Sequence, residues 1–179
     1  HADQTNGIFE LRPFFWKSKK QIKVFADKRT LKVLMDKHDY CFYGGQGYIP
    51  IMNGNLIKKK FTLKKKNTKI TFNSFPVDHG QIKSSAYIFN NIAYLSDCNG
   101  VNVKNFKDLK NLKYLIIDSL KIQAHPSHFN LDQAIKLSYL IKPKKAILTN
   151  LHTDLDYFEL KKILPKNIIP AYDGLSFTS

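Results

Sequence analysis

Three short apolar runs constrain this chain more than any other feature: Ile92-Ala93-Tyr94-Leu95, Tyr114-Leu115-Ile116-Ile117 and Ala146-Ile147-Leu148. Each has the length of a strand rather than a long helix, is rich in residues suited to a pleated surface, and stops at a polar stretch or an aspartate. Continuous apolar runs of this kind read as strands buried on both faces, as in a sheet with helical crossovers. Five of the six histidines sit in short polar stretches that interrupt apolar runs: His1, His79, His125, His128 and His152. Only His38 falls inside an amphipathic helical pattern. A sheet whose strand ends carry His and Asp can hold a metal ion, because the strands fix the geometry and the loops supply the ligands. Asp97, two residues past Leu95, belongs to the same set.

The remaining pattern is consistent with an α/β class. Ile22 to Ala26 predicts a strand, followed by a helix from Lys28 to Lys37 with Leu31, Leu34 and Met35 on one face. Strands are predicted at Leu56 to Leu63, Lys69 to Val77, Ala86 to Phe89 and Ile92 to Leu95, the last two joined by an Asn90-Asn91 hairpin turn. Alternation follows. A short helix at Phe106 to Leu109 precedes the strand at Tyr114 to Asp118, and an amphipathic helix spans Leu131 to Ile141 and stops before Pro143. Then come a strand at Ala146 to Leu148, a helix at Leu155 to Ile163 ended by Pro165, and closing strands at Ile168 to Tyr172 and Leu175 to Phe177. Gly44-Gly45-Gln46-Gly47 reads as a flexible turn without the strand-to-helix context of a phosphate loop. No repeat or linker divides the chain, so residues 1–179 are expected to form one domain.

Composition narrows the function classes. With 179 residues, 43% of them hydrophobic, the chain can bury a core, and no stretch approaches the roughly 20 apolar residues of a membrane span. Cys41 and Cys98 give no disulfide framework, which places the expected compartment in the reducing cytoplasm; Cys98 reads as a small buried thiol. The net charge of +15 invites a nucleic-acid partner, but only Arg12 and Arg29 of the 29 basic residues are arginine. Phosphate and base recognition favours arginine's planar fork. The run from Lys58-Lys59-Lys60 to Lys64-Lys65-Lys66 alternates with Phe61 and Leu63 like the solvated edge of a hairpin. Nucleic acid is therefore admitted as a partner but not favoured, no membrane partner is expected, and a homodimer is admitted.

The chain opens on His1-Ala2-Asp3-Gln4-Thr5-Asn6-Gly7, a polar turn that can present an imidazole and a carboxylate on one side, a pair suited to a zinc-like ion. The ordered set H-A-D, V-D-H-G, A-Y-L-S-D, H-P-S-H-x-x-L-D-Q-A, L-T-N-L-H-x-D-L-D-Y and P-A-Y-D-G resembles the metallo-β-lactamase-fold hydrolases. Within them it is most similar to the cyclic-phosphate phosphodiesterases related to the carbon–phosphorus lyase accessory enzyme, with transfer-RNA 3′-processing nucleases as more distant cousins. The resemblance spans essentially the whole chain. It implies an αββα sandwich lacking its first strands and the first His of the family's H-x-H-x-D-H metal loop, whose second His matches His1 and whose Asp matches Asp3.

The same resemblance implies the ligand set. His1 and His79 would hold one ion, Asp97 would bridge, and Asp3 with His152 would serve a second, with Asp3 also counted in the catalytic set. Paired divalent ions lower the pKa of a bound water towards 7 and clamp both the attacking and the leaving oxygen of a phosphoryl transfer. The expelled alkoxide needs a proton, and His125 and His128 are the candidate acids, His128 matching the family position better. Two departures stand out. Gln4 replaces the second-site imidazole of the family loop and stays in the candidate metal set as a poorer zinc ligand, binding through its carbonyl or not at all, and Thr149-Asn150 stands where many relatives have T-H. The ligand role therefore moves to His152, and Asn150 is left as an amide either for the substrate or for a side chain behind the ligands. Zn²⁺ is the expected cofactor, one ion or two, with Mn²⁺ tolerated. The leading expectation is a phosphodiesterase on a small cyclic or nucleotide-like phosphodiester, acting through metal-held hydroxide. The alternatives are an RNA 3′-processing nuclease, a thioester or lactone hydrolase on the same scaffold, and a non-catalytic phosphate-binding relative.

Overall fold

A computed structural model describes residues 1–178, and the chain divides into two compact units, the second beginning at Lys59. In the first, α1 (Ala2–Thr5) runs into a 3-10 turn at Asn6–Leu11 and then α2 (Arg12–Ser18), which carries Pro13 in its first turn, where a missing N–H does no harm. The opening heptapeptide is thus helical rather than a loop, and α2 has no counterpart in the sequence-based layout. β1 (Ile22–Ala26) leads to α3 (Lys28–Lys37) and α4 (Asp39–Phe42), and β2 (Met52–Leu56) pairs with β1 in parallel. Asp27 caps α3 by accepting the Arg29 and Thr30 amide protons. A Cβ on Gly54 would sit 2.9 Å from Leu31 Cδ1, so glycine lets β2 approach α3 closely. Phe15, Leu34, Cys41, Phe42, Ile51 and Met52 form this unit's core.

The second unit is a seven-stranded sheet: β3 (Lys60–Lys65), β4 (Thr68–His79), β5 (Ile82–Phe89), β6 (Ile92–Leu95), β7 (Tyr114–Asp118), β8 (Lys145–Thr149) and β9 (Ile168–Pro170), lying side by side in sequence order. The predicted strand at 56–63 is broken, because Leu56 ends β2 in the first unit and Lys60 starts β3 in the second. Leu175 to Phe177 adds no strand; the chain there is irregular, and the Phe177 ring packs 4.3 Å from that of Tyr114. β3 to β6 pair antiparallel and β6 to β9 parallel. Asn90 and Asn91, both at positive φ (45° and 59°), make the tight β5–β6 turn.

Two crossovers carry α5 (Leu131–Ile141) between β7 and β8 and α6 (Tyr157–Ile163) between β8 and β9. A reciprocal capping box joins Asn130 and Gln133 at the start of α5. Its Ala134 joins Val77, Ala86, Leu95, Leu115, Ile117 and Leu148 of the strands in one core. Because β4 and β6 both run antiparallel to β5, the strands β4, β6, β7 and β8 all end at the same edge of the sheet. Among the described residues no helix is long and apolar enough to cross a membrane.

Candidate metal centre

Four strand ends meet at that edge. His79 closes β4 with 3% of its surface exposed, and its Nδ1 lies 2.7 Å from the Ser127 carbonyl oxygen. A carbonyl only accepts, so Nδ1 carries the proton and Nε2 is the nitrogen with a lone pair. Asp97 follows β6 in a left-handed conformation (φ 49°), unusual for a residue with a side chain. The Ser84 hydroxyl donates to the Asp97 carbonyl at 2.6 Å and helps to hold this turn.

Asp118, at the end of β7, is fully buried. Its Oδ2 accepts the Cys98 amide proton (2.9 Å) and lies 2.6 Å from His128 Nδ1, while its Oδ1 accepts from the Asn150 side-chain amide (3.1 Å). Burial pushes the Asp118 carboxyl above the usual carboxylate range, against the pull of these donors. The contact fixes the His128 ring with its proton on Nδ1 and turns Nε2 away from Asp118. Burial also pushes the neighbouring Cys98 thiol far above its ordinary value, as expected of an inert packing cysteine.

The rings of His79 and His128 stand edge to face at 4.7 Å, and His125 lies 5.0 Å from His128. Ser127 donates its backbone N–H to His125 Nδ1 at 3.3 Å, so the His125 proton sits on Nε2. Burial and then the neighbouring His128 lower the His125 pKa below the ordinary histidine value, keeping the ring neutral at pH 7.

One ligand atom from each of His79, Asp97 and His128 can be chosen so that all three lie within 4.8 Å of one another, the one such group among the described residues. Asp97 Oδ1 is buried without any hydrogen-bond partner. An orphaned buried carboxylate oxygen facing two imidazoles is costly unless a cation satisfies it. Imidazole nitrogen and carboxylate oxygen are zinc's usual donors, so His79 and Asp97 fit a divalent ion, with the His128 ring beside it.

The other predicted residues are placed differently. Asn150, at φ 62°, is committed through its amide to Asp118 and lies 3.3 Å from His128 Nδ1. The His152 side chain is 57% exposed, pairs with Asp154 at 3.1 Å, and lies outside the three-residue group. His1 immediately precedes α1 in the first unit and makes no side-chain capping bond to it, while Gln4 donates to Asp3 Oδ2 at 3.3 Å. Asp118 was not among the candidates read from the sequence, although it ends an apolar run just as Asp97 follows one. That placement was the available signal.

The model of the "Beta-lactamase superfamily domain" matches residues 1–150. The chain belongs to the β-lactamase superfamily. A solved structure described as a new diphosphatase from the PhnP family superposes with a TM-score of 0.85 at 26% identity, covering 99% of this chain and 68% of that one. The metallo-β-lactamase-fold protein YhfI from Bacillus subtilis superposes at 0.74 with 13% identity, covering 98% and 73%, which speaks to the fold alone. Among curated proteins, an octanoyltransferase of Porphyromonas gingivalis (strain ATCC BAA-308 / W83) is 28% identical over 182 residues, covering 98% of this chain and 35% of its own. The chain therefore spans about a third of the length of that relative. The fold is that of metal-dependent hydrolases of the metallo-β-lactamase type.

Proposed function

We propose that this protein is a metal-dependent phosphodiesterase acting on a small cyclic or nucleotide-like phosphodiester. The observation that carries the reading is the meeting of His79 and the orphaned Asp97 Oδ1 with an imidazole, His128, backed by a buried carboxylate. Zn²⁺ or Mn²⁺ held by His79 and Asp97 would supply a Lewis acid and a water acidic enough to attack phosphorus at neutral pH.

This chain's own residues do the rest. Asp118 holds the His128 ring with its proton on Nδ1 and Nε2 turned outward, so that a proton carried on Nε2 can pass to the departing alkoxide oxygen. His125, neutral and protonated on Nε2, can donate a hydrogen bond to a non-bridging phosphoryl oxygen without competing as an acid. Asn150 keeps the Asp118 carboxylate in place from its other oxygen. The likeness to a diphosphatase at 26% identity supports a second reading, in which the bond broken is a phosphoanhydride.

The test is turnover of a bis-aryl phosphodiester, a 2′,3′-cyclic nucleotide and a dinucleoside diphosphate, before chelation, after it, and after re-addition of Zn²⁺ or Mn²⁺. Activity on the diesters that is abolished and restored supports the proposal; activity on the diphosphate alone supports the second reading. Undiminished turnover in a verified metal-free sample would sink both.

A further inference from the structure

The three residues of the candidate centre lie on separate segments: the end of β4, the turn after β6, and the 125–128 stretch after β7. Their own side chains tie only two of those segments together, through His79 Nδ1 and the Ser127 carbonyl. What joins the segments is Asn99. Its Oδ1 accepts the Gly80 amide proton at 3.2 Å, one residue past His79. Its Nδ2 donates to the Pro126 carbonyl at 2.7 Å, two residues before His128. Its own backbone N–H donates to the Asp78 carbonyl at 2.8 Å, and it stands two residues after Asp97. One short side chain thus ties together all three segments.

The surrounding backbone shows how closely the segments are drawn in. Gly80 has φ +61°, and a Cβ there would meet Ser127 Cβ at 3.1 Å and the Pro126 carbonyl oxygen at 3.4 Å. The His79 ring then reaches the Ser127 carbonyl at 2.7 Å, and the Phe129 amide donates to the Cys98 carbonyl at 2.8 Å. These contacts flank the carboxamide of Asn99, whose two ends have opposite polarity. An acceptor must face Gly80 N–H and a donor must face Pro126 C=O, a requirement met among short side chains by Asn alone.

We infer that Asn99 is a positioning residue that holds the metal-binding His79 and Asp97 segments in register with each other and with the His128 segment. The inference rests on the metal-centre reading above. Partners that hydrogen-bond the ligating side chains themselves commonly contribute about 10–100-fold to metal affinity, and Asn99, which acts on the backbone beside them, is expected at the lower end of that range.

The test measures zinc dissociation constants by chelator competition, with the absorption spectrum of the Co²⁺-loaded protein as a second readout. It compares the unmodified protein with Asn99→Ala and Asn99→Asp. The Asp variant preserves size and the acceptor for Gly80 but places an oxygen against the Pro126 carbonyl, so it stays informative where Ala destabilises the fold. Zinc affinity about 10-fold weaker in both variants, with a shifted Co²⁺ spectrum at temperatures well below unfolding, is expected. A purely structural role would lower the unfolding temperature and leave affinity and spectrum as they were; that result in the folded Asp variant overturns the inference while the metal reading stands. An unmodified protein that binds no zinc overturns both.

Discussion

The two edges of the seven-stranded sheet are built from the same strands and do opposite things. At one edge the chain reverses immediately, through Lys66-Asn67 between β3 and β4 and Asn90-Asn91 between β5 and β6. At the other edge β6, β7 and β8 release the chain into long connections, all of which carry helical segments, the first a 3-10 helix at Val103–Leu109. Both edges use residues at positive φ: Asn90 and Asn91 at 45° and 59° on one, Asp97 and Asn150 at 49° and 62° on the other. In the tight turns that conformation serves only to reverse the chain. At the long edge it aims a side chain inward, where Asp97 faces the two histidines and Asn150 grips Asp118. A two-residue turn needs only a few outside ties, such as Lys113 N–H to the Asn91 carbonyl, or Gly80 N–H to Asn99 in the short β4–β5 turn at the long edge. Long connections must be tied to one another, and the polar groups that tie them are also available for chemistry.

If this contrast is right, substitutions at the long edge should strike activity first and those at the turn edge should barely register. The largest effect is expected from Asp97→Ala, which removes the orphaned oxygen and should lose both metal and turnover in an elemental analysis paired with a phosphodiester assay. His128→Ala should lower turnover by roughly 10²–10⁴-fold, the usual contribution of general acid catalysis, with metal content nearly unchanged. Loss of metal from that variant as well would make His128 a ligand.

Next comes Asp118→Asn. Its amide can offer only one acceptor where the Cys98 N–H, His128 Nδ1 and the Asn150 amide all need one, so about 1–3 kcal/mol of stability should go, measured by denaturant unfolding. Turnover should fall too, because the His128 ring is no longer held with its proton on Nδ1. Unchanged kcat in a stably folded Asp118→Asn protein would separate the dyad from catalysis.

A smaller effect concerns pH. The folded-state pKa of His125 is lowered below 6.5 by burial and then by His128, so the unfolded chain takes up this proton first as the pH falls. The His125 contribution should therefore destabilise the fold progressively below about pH 6.5, and NMR titration should place its midpoint under that value. The smallest effect is expected at the turn edge. Asn91→Gly keeps a positive φ that glycine adopts freely, so stability should change by no more than about 0.5 kcal/mol and activity not at all. A large loss there would mean that the two edges are coupled through the sheet.

Much of this architecture was legible in the residues. β1, α3, β6, β7 and α5 begin and end where apolar periodicity and the stop signals place them. α2 was not, because Pro13-Phe14-Phe15-Trp16 is a cluster of weak helix formers that packing of Phe15 holds helical. Nor was the break between Leu56 and Lys60, since a continuous strand-like pattern does not reveal that its two halves pair with different sheets. His79 and Asp97 as candidate ligands and His128 as the candidate acid came from motif order and the family resemblance. Asp118 offered only its place at the end of an apolar run, and the roles of Asp118 and Asn99 lie in partners far away along the chain.

The sequence by itself therefore determined the local elements and the chemical kinds of side chain set near the strand ends, since periodicity, turn propensity and residue type act over a few neighbours. Only the tertiary structure decided which of those side chains meet. His79, Asp97 and His128 converge because β4, β6 and β7 run in one direction and end at one edge, with Asp118 under His128. His152, in an equally promising stretch, turns to Asp154 instead. Strand order and direction are set by burying the core as a whole, and no local window of the sequence contains that sum.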